Sequence, residues 1–384
     1  MKGFELSTEQ PTSLSRFGFL AGLLFSGVML AGAWQVIAVI TREAGAIEFP
    51  RSWIDFAEGR STGTIEKQLD NKLPARPLLI TVANTVRYMI MGSGGDQVRT
   101  GKDGWLFLAE EFRFEPDASA NLKAKAELLG ATARALEGQG VKLVVSLVPD
   151  KARLYADKLT SGRYLRHNQT RYQDALIAFQ NQGVTAVDLL QPLVKAAGQT
   201  QVYYRTDTHW NQVGAQVAAQ AVAAVVLGLR LDLEKTSFSN NFGGAPTERP
   251  GDLIRLMGLD GAPKCLGPLP DLEAPVVTQQ ISADKDRGLF DEYAVPVVLT
   301  GTSYSLRANF VGFLQQSLSA KVLNAAQDGS GFLQATKLYL ENEAFQSAKP
   351  KVLIWELPER FLYGKLDNIN KVSGAARSTS CCSK

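Results

Sequence analysis

An apolar run ends in a glycine and then a serine in Val297-Val298-Leu299-Thr300-Gly301-Thr302-Ser303-Tyr304-Ser305. This order suits a nucleophile. The glycine lets the backbone turn sharply, and the serine hydroxyl projects from the end of a strand. The N–H groups that open a following helix can stabilise an oxyanion. Taken alone, the segment also reads as a plain turn with an N-cap. A second segment, Tyr203-Tyr204-Arg205-Thr206-Asp207-Thr208-His209-Trp210-Asn211, sets an aspartate and a histidine two residues apart. In a serine triad the aspartate holds one imidazole nitrogen while the other faces the serine. The short spacing lets a single turn carry both groups. The competing reading makes Asp207 a helix cap and His209 a surface residue. The chain holds only 2 histidines, and His167 lies in what reads as an exposed basic loop, so a histidine base points to His209.

The elements that must position these groups alternate between strand and helix. Leu122, Ala126, Leu129, Ala133 and Leu136 recur at helical spacing, and Gly138 and Gly140 end that helix. Residues 141–148 are nearly all apolar and rich in valine, as expected of a buried parallel strand. Further strands are expected at 184–190, 295–300 and 351–356. Helices are expected at 212–227 and 306–318. This alternation implies an α/β domain with a mostly parallel central sheet, whose active site lies at the carboxyl ends of its strands.

The amino terminus reads differently. Residues 17–40 carry no charge and are bracketed by Arg16 and Arg42. At ~1.5 Å per residue such a run crosses a hydrocarbon core of roughly 30 Å. Ala31-Gly32-Ala33 resembles a signal-peptidase site, but the apolar run continues past it to Ile40. An uncleaved anchor at 17–41 is therefore expected, after a tail at 1–16. A connecting region at 42–97, a catalytic domain at 98–371 and a disordered tail at 372–384 follow.

Composition narrows the remaining classes. The net charge is +3, and the basic residues are scattered, which gives no footprint for nucleic acid. Two histidines exclude a three-histidine zinc site, and 3 cysteines exclude a four-cysteine one. Cys265, Cys381 and Cys382 make no disulfide framework.

The Asp-Thr-His-Trp-Asn segment before a Gly-Ala helix, with Gly-Thr-Ser-Tyr-Ser downstream, resembles the AlgJ/AlgX-like alginate O-acetyltransferases, an SGNH-like family. Other matching landmarks, in order, are Gly101-Lys102-Asp103-Gly104-Trp105-Leu106-Phe107, Val148-Pro149-Asp150-Lys151 with Tyr155, Gly251-Asp252-Leu253, and Trp355-Glu356-Leu357-Pro358-Glu359-Arg360. The resemblance spans about 98–365, and an anchor before the domain is more similar to the AlgJ kind. It implies an SGNH-hydrolase-like fold and a domain outside the cytoplasm, in the periplasm, on an inner-membrane anchor. It also implies acetyl transfer to polysaccharide hydroxyls, with neither metal nor organic cofactor. The implied partners are a polysaccharide acceptor, a membrane O-acyltransferase as acetyl donor, and a polysaccharide synthesis and export complex. Asp207, His209 and Ser303 match the family's catalytic positions. The sequence departs from ordinary SGNH hydrolases: Thr302 stands where they carry aspartate, and the Asp-His pair precedes the serine. Their glycine and asparagine oxyanion donors have no counterpart here, which leaves the Ser303 N–H as the expected donor.

Five further residues are expected near substrate. Lys151 is a candidate contact, with a carboxylate partner as the alternative. Tyr204 and Trp210 suit a sugar-stacking platform, or packing around the histidine. Trp355 and Arg360 follow a strand end and suit the cleft wall, unless Arg360 pairs with Glu356 or Glu359. Three functions fit: a transferase, an esterase with the same triad and water as acceptor, and a polysaccharide-binding scaffold. An intact Asp207, His209 and Ser303 set opposes the scaffold.

Overall fold

The structure, a computed structural model, describes residues 16–42, 54, 66, 72, 74–160, 166–281 and 295–366. Cys381 and Cys382 and the expected tail lie outside these residues. The chain divides into two compact units, Met1–Ala83 and Asn84–Lys384. In the first, Arg16–Arg42 is one helix of 27 residues. Most of its described large apolar side chains, Leu30 and Trp34 among them, are exposed.

The second unit contains eleven strands among its described residues: β1 (Val98–Thr100), β2 (Leu106–Leu108), β3 (Lys142–Val148), β4 (Thr185–Asp188), β5 (Phe238–Phe242), β6 (Thr247–Arg249), β7 (Asp271–Glu273), β8 (Val276–Gln280), β9 (Val297–Thr300), β10 (Val322–Asn324) and β11 (Val352–Pro358). Five of them form the central sheet in the order β10-β9-β11-β3-β4, and every pairing in it is parallel. The other six make three antiparallel pairs, β1–β2, β5–β8 and β6–β7.

The apolar strands are apolar because both faces of the sheet are covered. Side chains alternate along a strand. Val144, Val148, Val297, Leu299, Val352 and Ile354 join one core with helix Gln212–Gly228 and helix Phe310–Leu318. Leu143, Val145, Leu147, Val298, Leu353 and Trp355 join the other with helix Ala118–Glu137 and helix Arg171–Asn181. The chain runs from β3 outward to β4 on one side and from β9 outward to β10 on the other. The strand order therefore reverses around β11, the place where open parallel sheets bind ligands.

One expected helix starts later than the periodicity suggests. Residues 303–306 form a short 3-10 turn, Ser303–Leu306, and the α-helix begins only at Phe310. Ala308 and Asn309 take positive φ values of 53° and 56°, which α-helix geometry forbids. Ser303 thus stands on its own turn between strand and helix, and not at an α-helix amino terminus.

Candidate active site

The residues around His209 form a narrow loop closed at its base. Tyr203 and Trp210 bridge in antiparallel fashion, Tyr204 N–H donates to His209 O at 3.1 Å, and Asn211 N–H donates to Val202 O at 3.0 Å. Asn211 caps the helix that follows, its side chain accepting from Gly214 N at 3.0 Å. Asp207 is therefore not the cap and is available to the imidazole.

The loop tip has almost no regular backbone pairing, so side chains satisfy its polar groups. Asp271 accepts from Arg205 N and Thr206 N, both at 2.8 Å, and from the Thr206 hydroxyl at 2.6 Å. Asp252 accepts from Thr208 N at 2.7 Å. From the other side, Lys151 Nζ donates to Leu106 O at 2.6 Å and to Arg205 O and Asp207 O at 2.9 Å. Gly251 packs against this tip, where a Cβ would lie 1.9 Å from Thr206 O.

Asp207 Oδ1 lies 2.6 Å from His209 Nδ1, and His209 Nε2 lies 2.7 Å from Ser303 Oγ. A carboxylate only accepts, which assigns the ring proton to Nδ1 and leaves Nε2 to accept from the serine. The edge of Tyr304 packs on the imidazole, with ring centroids 4.8 Å apart, and its hydroxyl donates to Thr208 O at 2.9 Å. Asp207 and His209 are buried, while Ser303 is half-buried and faces a cavity of about 350 Å³.

Burial alone would raise the Asp207 carboxyl, but bonding to His209 and the charge of Arg249 outweigh it. They hold the group well below the usual carboxylate range. Arg249 Nη1 donates to Asp207 Oδ2 at 2.7 Å, and its Nε lies 2.9 Å from Glu273. Asp207, His209 and Asp252 bring possible metal-ligand atoms within 4.8 Å of one another. The donor set does not suit a metal. The two Asp207 oxygens already accept four N–H groups, from His209 N and Nδ1, Arg249 and Asp252 N. That fills a carboxylate's lone-pair sites, and Arg249 supplies the positive charge.

The serine turn is held from beneath by one buried carboxylate. Glu356 accepts from Thr302 N at 2.7 Å, from the Thr302 hydroxyl at 3.0 Å and from the Ser305 hydroxyl at 3.1 Å. Gly301 sits at φ 147°, and a Cβ there would lie 2.7 Å from Glu356 O and Oε2. The backbone can pass over Glu356 only without a side chain. Of the N–H groups that follow, Thr302 donates to Glu356, Tyr304 to Thr302 Oγ1 at 3.4 Å and Ser305 to Thr302 O at 3.1 Å. The Ser303 N–H has no acceptor among the described residues, as an oxyanion donor requires.

The five residues expected to contact substrate lie elsewhere. Lys151 is fully buried, and its three N–H donors are spent on three carbonyls. Tyr204 is buried, donates its hydroxyl to Glu273 and carries the Arg249 guanidinium 4.2 Å above its ring. Trp210 is buried against Tyr304 and Phe310. Trp355 belongs to the core on the opposite face of the sheet, beside Phe332. Arg360 is nearly buried. Its Nε lies 3.4 Å from Glu110, and its guanidinium lies 5.7 Å from the Tyr304 ring centre. Glu359, one partner expected for Arg360, pairs instead with Arg153. Lys151, Tyr204, Trp210 and Trp355 are consumed by folding. Arg360 keeps Nε and Nη1 without hydrogen-bond partners among the described residues and lines a second cavity, of about 530 Å³, with Glu110, Lys125 and Ser330. His167 is exposed and packs on Phe114, with ring centroids 5.3 Å apart.

Arg249 and Asp271 carry no motif or spacing in the sequence that marks them. Asp252 and Glu356 appear in the sequence only within landmarks, Glu356 also as a partner for Arg360. A charged residue on either side of Pro250-Gly251 was the available cue, because a tight turn brings its flanks together.

Known proteins share this arrangement of chain. A family described as SGNH hydrolase-like domain, acetyltransferase AlgX, matches residues 98–359. The probable alginate O-acetylase AlgJ of Pseudomonas putida is 34% identical over 361 residues, which cover 92% of this chain and 90% of that one. The corresponding protein of Pseudomonas aeruginosa is 33% identical over 88% of each chain. Among solved structures, the O-acetyltransferase domain of Pseudomonas putida AlgJ aligns with a TM-score of 0.64 and 36% identity, over 71% of this chain and 94% of that one. Pseudomonas aeruginosa AlgX aligns at 0.54 and 24% identity, over 68% and 61%, and shares the fold. With a matching family over most of its length and full-length relatives above 30% identity, this chain belongs to the SGNH hydrolase-like acetyltransferases.

Proposed function

We propose that this O-acetyltransferase acetylates hydroxyls of alginate or a similar exopolysaccharide through an acetyl-Ser303 intermediate. The observation that carries the reading is the unbroken contact from Asp207 through His209 to Ser303, at 2.6 and 2.7 Å. Ser303 Oγ attacks the acetyl carbonyl while its proton passes to His209 Nε2. Asp207 steadies the imidazolium, and the Ser303 N–H donates to the oxyanion. His209 returns the proton to the departing donor group, leaving acetyl-Ser303. An acceptor hydroxyl then attacks that ester and gives its proton to Nε2. Collapse restores Ser303 and releases the acetylated sugar. An esterase would run the same steps with water. The naming of the relatives as alginate O-acetylases supports a sugar hydroxyl instead.

The acetyl donor is assigned to a membrane O-acyltransferase within a polysaccharide synthesis and export complex. The setting is the outer face of the inner membrane. Among the described residues no helix is long and apolar enough to cross a membrane. Support for the anchor comes from the uncharged sequence 17–40 and from a 27-residue helix, about 40 Å long.

Purified protein given an activated acetyl ester and an oligoalginate should form acetylated oligosaccharide, read by mass spectrometry, faster than it releases acetate. Acetate release that ignores several oligosaccharides, with no acetylated sugar, would establish the esterase instead. A carboxy-terminal phosphatase reporter should be active outside the cytoplasm, with the protein retained in membranes after a carbonate wash. A soluble product beginning at Trp34 would overturn the anchor.

A further inference from the structure

We infer that Arg307 and Asp328, at the edge of the Ser303 cavity, form a carboxylate-recognition subsite for the acceptor. Asp328 occupies the position that a uronate carboxylate takes on Arg307. The inference rests on the alginate reading, because alginate is a polymer of uronic acids and carries a carboxylate on every sugar.

The cavity lining leads to this pair by subtraction. Asp207, His209 and Ser303 form the relay, and Arg249 and Asp252 hold Asp207 and its loop. Pro250, Arg255, Arg307 and Asp328 are the remaining lining residues. Among the described residues the lining holds no aromatic ring on which a neutral sugar face would stack. An acceptor held here is held by ionic groups.

Arg307 and Asp328 are both indexed to the nucleophile. Arg307 directly follows the turn Ser303–Leu306. Asp328 lies between Gln327 and Ser330, whose N–H and hydroxyl donate to Gly301 O at 3.1 and 2.9 Å. The pair itself spans 2.9 Å, with side chains 42% and 64% exposed. An exposed ion pair of this kind is weak and readily exchanged. A guanidinium matches a carboxylate in a planar, two-bond geometry, so an incoming uronate can displace Asp328 without a new cation. Asp328 is followed by Gly329 and Gly331, both at positive φ, which gives its loop freedom to swing clear. Arg255 lines the same cavity, 72% exposed and 3.7 Å from Asp260, a second cation for the next sugar along the polymer.

The test measures binding of a defined oligouronate to the full chain in detergent, carrying Ser303→Ala so that no turnover intervenes. Adding Arg307→Gln should weaken binding about tenfold or more, the loss of a charge-assisted bond. Adding Asp328→Asn should tighten it about threefold, because the internal competitor is gone. Both effects should shrink in high salt. A neutral oligosaccharide of the same length should respond to neither variant. Unchanged binding in Arg307→Gln would overturn the inference, as would weaker binding in Asp328→Asn, which would mark the pair as a clamp for hydroxyls. Absence of oligouronate binding to the Ser303→Ala parent would overturn it too. Binding with the expected signs, beside a wild-type protein that acetylates no oligouronate, would leave the subsite standing and remove the alginate reading.

Discussion

Two short segments meet at the proposed catalytic relay, and they are held in opposite ways. The Asp207–His209 loop is a charged lattice. Lys151 gathers three carbonyls, Asp271 and Asp252 gather the amides, and Arg249 covers the carboxylate. The Ser303 turn rests on one carboxylate, Glu356, and on a glycine that lets the backbone pass close over it. The difference follows from what each segment continues. The turn extends β9, so its position is inherited from the sheet and needs one support. The loop has only a bridge at its base, so its tip must be fixed atom by atom. Precision at the serine comes from the sheet, and precision at the histidine comes from buried charge.

The comparison breaks most sharply at the reacting atoms themselves. Ser303→Ala and His209→Ala should each lower acetyl transfer by several orders of magnitude, on the order of 10³–10⁵, and the double variant should lose little more. Asp207→Ala should be milder, because the imidazole keeps its proton-accepting nitrogen but loses its orienter. Ser305→Ala is the control. Its hydroxyl only supports Glu356, so a loss within about tenfold is expected. Steady-state transfer in variants that retain the wild-type circular dichroism spectrum reads all five. Normal transfer in Ser303→Ala, or a loss confined to Ser305→Ala, would remove the assignment.

The supports should separate next. Lys151→Met strands three carbonyls at a buried site, costing on the order of 2–4 kcal/mol of stability. The loop tip then loses its register, and a displacement of ~1 Å costs about 10²-fold in rate. Glu356→Gln keeps an acceptor for Thr302 N, and the Thr302 and Ser305 hydroxyls can turn to accept from its amide. Transfer should fall by less than about tenfold, with little change in melting temperature. Equal losses in the two variants would show that the turn depends on buried charge as heavily as the loop does.

Much of this plan was legible in the sequence. The parallel sheet followed from valine-rich runs alternating with helical periodicity. The relay followed from Asp207 and His209 together with a glycine-preceded Ser303 at a strand end. Burial depth was not legible, and it decided the roles of the rest. A lysine after a strand reads as a ligand contact, yet Lys151 sits between Trp105 and Phe107, 5.2 and 5.3 Å from their ring centres. Tyr204 and Trp210 read as a sugar platform, and Trp355 as cleft wall, because aromatic rings serve both surfaces and cores. Arg249 and Asp271 were silent because they lie 42 and 65 or more residues from the groups they hold. No local pattern encodes a partner at that separation.

The smallest expected effect tests whether the charged lattice carries a cost of its own. Glu111 is fully buried and accepts from Ala152 N, next to Lys151, at 2.8 Å through Oε2, while Oε1 has no partner among the described residues. Burial pushes its carboxyl up to about 7, against the lowering effect of Ala152 N and of Arg360 and Lys151. An acid whose folded value is raised binds its proton more tightly in the native state. Between about 4.5 and about 7 the folded chain therefore holds more protons than the unfolded one, and stability falls as pH rises through that window. Above it the charged Glu111 costs on the order of 1–3 kcal/mol. Glu111→Gln keeps an acceptor for Ala152 N and removes the charge. It should raise the melting temperature by a few degrees at pH 8 and leave it nearly unchanged at pH 4.5. Scanning calorimetry of both forms across that range reads the difference. A variant less stable than the parent at pH 8 would mean that the Glu111 charge, through Lys151 and Arg360, is part of what holds the loop.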